Sequence, residues 1–265
     1  MSEAATEAIV VAEVNQRVKW IRFNRPHVKN AIGPESADLV RDEVKKAGDD
    51  GARVVVISGS GGSFCAGADL KALAPRMGEF TGVRDVLVNH YHPLVEAMTQ
   101  CPLPVIAAVD GAAAGIGCDI ALAADMRLAS ERAFFAQNFV NIGLIPDGGG
   151  TFTLPRLIGL GRALEMATSG ARIQAEQASA WGLVNHVFAV DEFETRVQEF
   201  AATLAAKAPL SMARSKGAMR AATSGTLEEA LTREADMQQE LFVTSDFQEG
   251  VSAFLEKRPP NFEGR

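Results

Sequence analysis

Hydrophobic positions change their period several times along the chain, and each change marks an element. Ile9-Val10-Val11-Ala12-Glu13-Val14 and Val18-Lys19-Trp20-Ile21-Arg22-Phe23 flank a polar Asn15-Gln16 step, which predicts a β-hairpin. Pro34 then opens a helical stretch, Glu35 to Ala47, with Leu39, Val40 and Val44 at helical spacing. Two apolar runs without alternation come next, Arg53-Val54-Val55-Val56-Ile57 and Pro104-Val105-Ile106-Ala107-Ala108-Val109. Short runs of this kind suit strands buried on both faces. Each run leads through small residues into a helical pattern, the first beginning near Ala68 and the second near Gly115. Leu183 to Val187 is a further strand candidate. From Glu192 the chain reads helical almost to its end, including Leu227–Phe242 and Phe247–Lys257. Linkers rich in Pro or Ser, low-complexity tracts and strict repeats are missing. The pattern predicts an α/β core over residues 1–195 and a helical C-terminal region over residues 196–265.

Composition narrows the class. Of the 265 residues, 47% are hydrophobic and 22% charged, which is ordinary for a globular protein with an ample core. No apolar run is long enough to span a bilayer, and the first residues carry acidic groups without a basic leader region. The three cysteines, Cys65, Cys101 and Cys118, lack metal-type spacing and read as small buried hydrophobes in a reducing cytoplasm. A net charge of -7 argues against nucleic acid as the main partner. It leaves room for a polyanionic small ligand met by a few local Lys or Arg residues.

Several familiar chemistries are absent. The chain has no Gly-x-x-x-x-Gly-Lys loop, no Gly-x-Ser-x-Gly elbow and no His-Glu-x-x-His pair. Gly59-Ser60-Gly61-Gly62-Ser63-Phe64 lacks the last glycine of a dinucleotide loop. His90 and His92 stand two apart in a helical segment, so their side chains point to different faces and no metal site is expected. The informative feature is a pair of strand-to-helix junctions, Phe64-Cys65-Ala66-Gly67-Ala68-Asp69-Leu70-Lys71 and Gly111-Ala112-Ala113-Ala114-Gly115-Ile116-Gly117-Cys118-Asp119. The first N–H groups of a helix lack intrahelical partners, so two such ends converging on one point would stabilise a developing oxyanion. Tight packing at strand ends would use the same small residues.

These two junctions resemble the signature regions of the crotonase (enoyl-CoA hydratase/isomerase) family. Asn24-Arg25-Pro26 with Asn30-Ala31, Ile142 to Thr151 with Leu154-Pro155-Arg156, and the tail Glu249 to Arg258 extend the likeness over nearly the whole chain, in order. The resemblance implies a spiral of β-β-α repeats with a helical C-terminal trimerisation region. It implies an acyl-CoA substrate, coenzyme A arriving as part of that substrate with no separate cofactor, and a homotrimer or dimer of trimers. By the same resemblance the oxyanion donors are the main-chain N–H groups of Ala68 and Ile116. Val28, Ala66, Asp69 and Leu70 would line the coenzyme A pocket, and Phe254 and Lys257 would approach it from a neighbouring subunit.

Carboxylates decide which reaction is expected. Family hydratases use two glutamates; this chain has Asp119 at the first matching position and Phe139 at the second. Phe139 can neither activate water nor deliver a proton, and with Ile116 it points to a reshaped acyl pocket. Asp147 matches the catalytic aspartate of the family's dienoyl-CoA and ring-1,2-epoxyphenylacetyl-CoA isomerases, whose wording around Gly143-Leu144-Ile145-Pro146-Asp147 is similar. One carboxylate suffices to move a proton between two carbons of a dienolate. The resemblance therefore implies an isomerase with Asp147 as proton shuttle and Asp119 as auxiliary. Hydration by water held between Asp119 and Asp147, nucleophilic attack by Asp147, and a non-catalytic acyl-CoA-binding protein are the competing readings. Read without the family, Asp147 could be the N-cap of a helix over Gly148–Leu154, and Asp119 a solvated residue or a partner of Arg127.

Overall fold

The hairpin forms where the alternation predicts it. In a computed structural model, which describes residues 8–73 and 82–265, β1 (Val10–Asn15) pairs antiparallel with β2 (Val18–Phe23). The turn sits one residue later than expected, because Asn15 already pairs with Val18. Gln16 and Arg17 make the turn with φ of 51° and 63°, and two consecutive positive values match the twist of a two-residue hairpin. Part of the acidic N-terminal stretch, Met1 to Glu7, lies outside the described residues.

The unalternating runs become parallel strands covered on both faces. A six-stranded sheet runs β1-β2-β3-β4-β6-β9, with β3 (Val54–Gly59), β4 (Val105–Val109), β6 (Met126–Ser130) and β9 (His186–Phe188) all parallel to β2. Val54, Val56, Ile106, Ala108 and Leu128 face one side and pack with Phe193, Val197, Ala201 and Ala205. Those four recur at helical spacing on one helix, Phe193–Ala205. Val55, Ile57, Ala107, Val109 and Ala129 face the other side, in the main core. Neither face is wet, so neither needs polar alternation. The strand expected over Leu183 to Val187 is shorter: Leu183 and Val184 are buried, but pairing begins at His186.

A second sheet of three short strands, β5 (Ala112–Ala114), β7 (Phe134–Ala136) and β8 (Arg172–Gln174), sits in the order β5-β7-β8. Chain order now shows the repeat. Twelve α-helices follow in sequence among the described residues: α1 (Pro34–Lys45), α2 (Leu70–Leu73), α3 (Val83–Val86), α4 (His92–Gln100), α5 (Ile116–Ala123), α6 (Gly150–Ile158), α7 (Leu160–Ser169), α8 (Ala175–Ala180), α9 (Phe193–Ala205), α10 (Pro209–Ala222), α11 (Leu227–Phe242) and α12 (Ser245–Glu256). β4 enters the large sheet, β5 the small one, and α5 returns. β6, β7 and α6 repeat the course. In the turn before them, β3 is followed only by isolated parallel bridges, Cys65 to Ala113 and Ala68 to Ile32, before α2. This is the β-β-α spiral, with a helical C-terminal region after it.

Asp125 ties that region to the spiral, pairing with Lys216 at 2.7 Å and Arg220 at 2.6 Å. The three cysteines are free and buried, and burial pushes the Cys65 thiol up to about 12. Among the described residues no helix is long and apolar enough to cross a membrane.

Candidate active site

The two strand-to-helix junctions lie side by side. The bridge between Cys65 and Ala113 is parallel, with Cys65 N–H donating to Ala112 O at 2.8 Å and Ala114 N–H to Cys65 O at 3.0 Å. Carrying this register forward sets Gly67 opposite Gly115 and Ala68 opposite Ile116. A Cβ added to Gly115 would stand 3.8 Å from Gly67 Cα, and one added to Gly67 would stand 3.1 Å from Ala114 O. The first distance is ordinary contact, and the second would press a side chain at position 67 against the neighbouring main chain. Both glycines also carry positive φ, 110° and 54°, which other residues rarely adopt.

The residues after each glycine present their main-chain N–H groups unused. Ile32 N–H donates to Gly67 O and Asp69 N–H to Ile32 O, both at 2.9 Å, while Gly115 N–H donates to Ala136 O at 2.9 Å. Neither the Ala68 N–H nor the Ile116 N–H meets an acceptor among the described residues. Ile116 is also the first residue of α5, where the helix dipole is positive. Its side chain is buried and turned toward the next loop: a Cβ on Gly148 would fall 2.3 Å from Ile116 Cδ1. Phe139 is buried beside Gly115, with its Cζ 3.8 Å from the Cβ that glycine lacks.

Asp147 stands on the loop that precedes α6. That helix begins at Gly150 with Gly149 as N-cap and no side-chain capping bond, so Asp147 is not its cap. One carboxylate oxygen, Oδ1, is buried without a hydrogen-bond partner among the described residues. Burial pushes the Asp147 carboxyl up to about 6, against the nearby His92 ring. A bare buried carboxylate oxygen is costly, and such oxygens mark sites where a ligand completes the bonding.

Asp119, on α5, is otherwise placed. It is 1% exposed, and both its oxygens are engaged: Gln137 Nε2 donates to Oδ1 at 2.6 Å and Gly148 N–H to Oδ2 at 2.8 Å. Burial raises its carboxyl to about 6; those two bonds oppose the shift, the charge of Asp147 adds to it, and the Asp147 N–H gives lesser help to the ionised form. Arg127 does not reach it, donating instead to Leu183 O at 2.6 Å and Ala124 O at 2.9 Å.

The remaining sequence-derived positions fall in two groups. Val28, Ala66, Asp69 and Leu70 surround the first junction. Asp69 is buried, accepts from Ala72 N–H at 3.0 Å and pairs with Arg25 at 2.8 Å. Burial works against its ionisation, but the Ala72 N–H and Arg25 outweigh it and hold the carboxyl below its ordinary value. Leu70 is exposed, and Val28 and Ala66 are half-buried. Phe254 and Lys257 lie instead at the end of α12, exposed, and Phe254 borders a separate apolar groove of about 460 Å³.

Sequence reasoning missed three supports. Asn30 is buried and stitches the Asn24-Arg25-Pro26 segment to the loop after β3, accepting from Arg25 N–H at 2.8 Å and donating to Ser60 O and Ser63 O at 2.9 and 2.6 Å. Tyr91 O–H donates to Ile32 O at 3.0 Å. His92 Nε2 lies 2.8 Å from Asp147 O, while His90 pairs with Asp38 at 2.8 Å. The two histidines thus point to different partners, and among the described residues no group of three or more ligating side chains could hold a metal.

Known proteins resemble this chain along its length. Residues 13–265 match the sequence profile described as Enoyl-CoA hydratase/isomerase. A protein of Rhodobacter capsulatus named probable enoyl-CoA hydratase is 42% identical, over 96% of this chain and 97% of its own. The 1,2-epoxyphenylacetyl-CoA isomerase of Escherichia coli is 36% identical, over 97% and 98%. The crystal structure of enoyl-CoA hydratase from Bacillus anthracis superposes with a TM-score of 0.93 at 33% identity, covering 97% of this chain and all of that one.

Proposed function

The chain belongs to the enoyl-CoA hydratase/isomerase (crotonase) family of acyl-CoA enzymes, and from that premise we propose that it isomerises an unsaturated or aryl acyl-CoA, shifting a double bond or opening a ring epoxide. The observation that carries this reading is the asymmetry between the two aspartates. Asp147 offers a buried oxygen without a partner, whereas both oxygens of Asp119 are engaged; by the family resemblance, Phe139 takes the position of the hydratases' second glutamate. A single available carboxylate suits proton transfer from one carbon to another better than the activation of water.

In this reading the thioester oxygen lies between the N–H groups of Ala68 and Ile116. Negative charge gathers there as Asp147 removes a proton, and a preorganised donor of this kind contributes on the order of 3–4 kcal/mol to the transition state. Asp147 then returns the proton elsewhere on the dienolate. Val28, Ala66, Asp69 and Leu70 flank the coenzyme A portion, which enters with the substrate rather than as a resident cofactor. Phe254 and Lys257 complete the pocket of a neighbouring subunit in a trimer or dimer of trimers.

Hydration is the second reading, favoured by the name of the Rhodobacter capsulatus relative. Incubation with 3-hexenoyl-CoA and with crotonyl-CoA separates the two by mass. Isomerisation leaves the mass of the first unchanged while conjugation changes its ultraviolet absorbance; hydration adds one water to the second. Asp147→Asn is expected to abolish isomerisation with the fold intact. Wild-type turnover in that variant would sink the assignment.

A further inference from the structure

The contacts of His92 and Asp119 fall on opposite ends of one peptide group. The Asp147 carbonyl oxygen faces His92 Nε2, and the N–H of the same peptide, on Gly148, donates to Asp119 Oδ2, each at 2.8 Å. We propose that the Asp147–Gly148 peptide is held in a two-sided clamp, and that His92 and Asp119 are positioning residues that aim the Asp147 carboxylate. The proposal rests on the reading of Asp147 as the proton shuttle.

The peptide group is rigid and planar, so fixing its oxygen and its hydrogen fixes its rotation about the chain. That rotation sets ψ of Asp147, and with it the direction in which Cβ leaves the backbone. Little else holds the segment. Two hydrogen bonds of good geometry tie the main chain from Ile145 to Gly148 to the rest of the described residues, both on this peptide, and the Asp147 N–H adds a weaker attraction to Asp119. Ile145 is 73% exposed, and Gly149 follows with φ of 91°. The clamp is also tight. A Cβ on Gly148 would stand 2.8 Å from Asp119 Cβ, and one on Gly150 would stand 2.2 Å from Asp119 Oδ1.

A carbonyl oxygen only accepts, so His92 carries a proton on Nε2 and donates. It does so in its neutral form as well as its cationic one, and the clamp needs no charge there. Nor does the other jaw need a titrating group. Asparagine at position 119 would offer its oxygen to the Gly148 N–H and its amide nitrogen toward Gln137. The Gln137 amide would turn to present Oε1, which has no partner among the described residues. Proton chemistry at Asp119 and a holding role for it therefore predict opposite outcomes.

The test compares His92→Ala with His92→Gln and Asp119→Ala with Asp119→Asn, using 3-hexenoyl-CoA turnover and hydrogen exchange at the Gly148 amide. Both alanine variants are expected to lose kcat by roughly ten- to a hundredfold with KM within about threefold, the scale of a misplaced catalytic group. Both are also expected to speed exchange at Gly148. His92→Gln and Asp119→Asn are expected to recover most of the rate and the protection. If Asp119→Asn is as inactive as Asp119→Ala while Gly148 stays protected, Asp119 acts by its proton and the clamp is overturned. It is likewise overturned if His92→Gln is no better than His92→Ala. Asp147→Asn at wild-type speed would instead remove the reading of Asp147 as the proton shuttle, a result distinct from failure of the clamp. Should 3-hexenoyl-CoA not be turned over, exchange alone decides: unchanged protection in both alanine variants rejects the clamp.

Discussion

At the scale of single residues, the site depends on what is left unsatisfied. Asp147 has a bare buried oxygen and a carboxyl raised to about 6, so it holds its proton to higher pH than a solvated aspartate. As a base it works only when ionised. The kcat/KM should therefore rise with pH, reach half its maximum near 6 and level off above, and a pH–kcat/KM profile flat from about 4 to 8 would contradict it. Asp119 has the same raised value with no bare oxygen. A carboxyl raised in the fold favours the folded state below its unfolded value and loses that favour as pH climbs through 6. Asp119→Asn removes the buried charge and keeps an acceptor for Gly148. It should thus be more stable than wild type near pH 8, by at most about 3 kcal/mol for a shift of roughly two pH units, with the advantage vanishing near pH 4. Denaturant midpoints at the two pH values measure it.

At the scale of elements, α4 and the turn before it reach both halves of the site. Residues Leu87–Tyr91 form a π-helical turn, which re-aims the side chains that follow. Tyr91 supports Ile32, whose own N–H and C=O bracket Ala68 through Gly67 and Asp69, and His92 meets the Asp147 loop. Tyr91→Phe leaves Ile32 O with the Asp69 N–H alone, at an expected cost of about 1 kcal/mol in urea unfolding and with slower turnover. An unchanged rate would mean that the first junction holds its shape without this brace. None of this was legible in sequence, where the segment around His90 and His92 reads simply as helical and His92 lies fifty-five residues from the loop it holds. Elements that carry their own periodicity were readable: α11 spans Leu227–Phe242 as its spacing predicts, and β2 begins and ends where its apolar run does. The strands of the small sheet were not, since Ala112-Ala113-Ala114 has neither alternation nor branched side chains and is a strand only through its neighbours. The two junctions stood out through their glycines, and Asp147 through its surrounding wording. Their supports are single long-range contacts that leave no pattern in the chain.

At the scale of the whole molecule, the single chain leaves apolar surface on its last helices that water alone would not favour. Phe254 is 82% exposed and Leu255 74%, beside a groove formed with Leu210 of α10, Phe242 of α11 and Phe262 of the tail. Scattered exposed apolar residues are ordinary, but a contiguous set lining a groove marks a contact surface. The helices beneath are firmly made, with a capping box at Thr226 and Glu229 opening α11 and Thr244 capping α12. Asp246 fastens the tail by accepting from the Glu263 and Gly264 N–H groups at 2.7 and 2.9 Å. Such anchoring keeps the face rigid, so little ordering entropy opposes its docking. In the proposed assembly this face meets another copy and brings Phe254 and Lys257 to that copy's coenzyme A pocket. Phe254→Glu places a charge where the contact must be dry. The wild type should then scatter light as three or six chains, while the variant should scatter as one and bind crotonyl-CoA more weakly with its fold retained. A variant that keeps the wild-type mass and thioester affinity would show that α12 faces solvent and that each chain completes its own site.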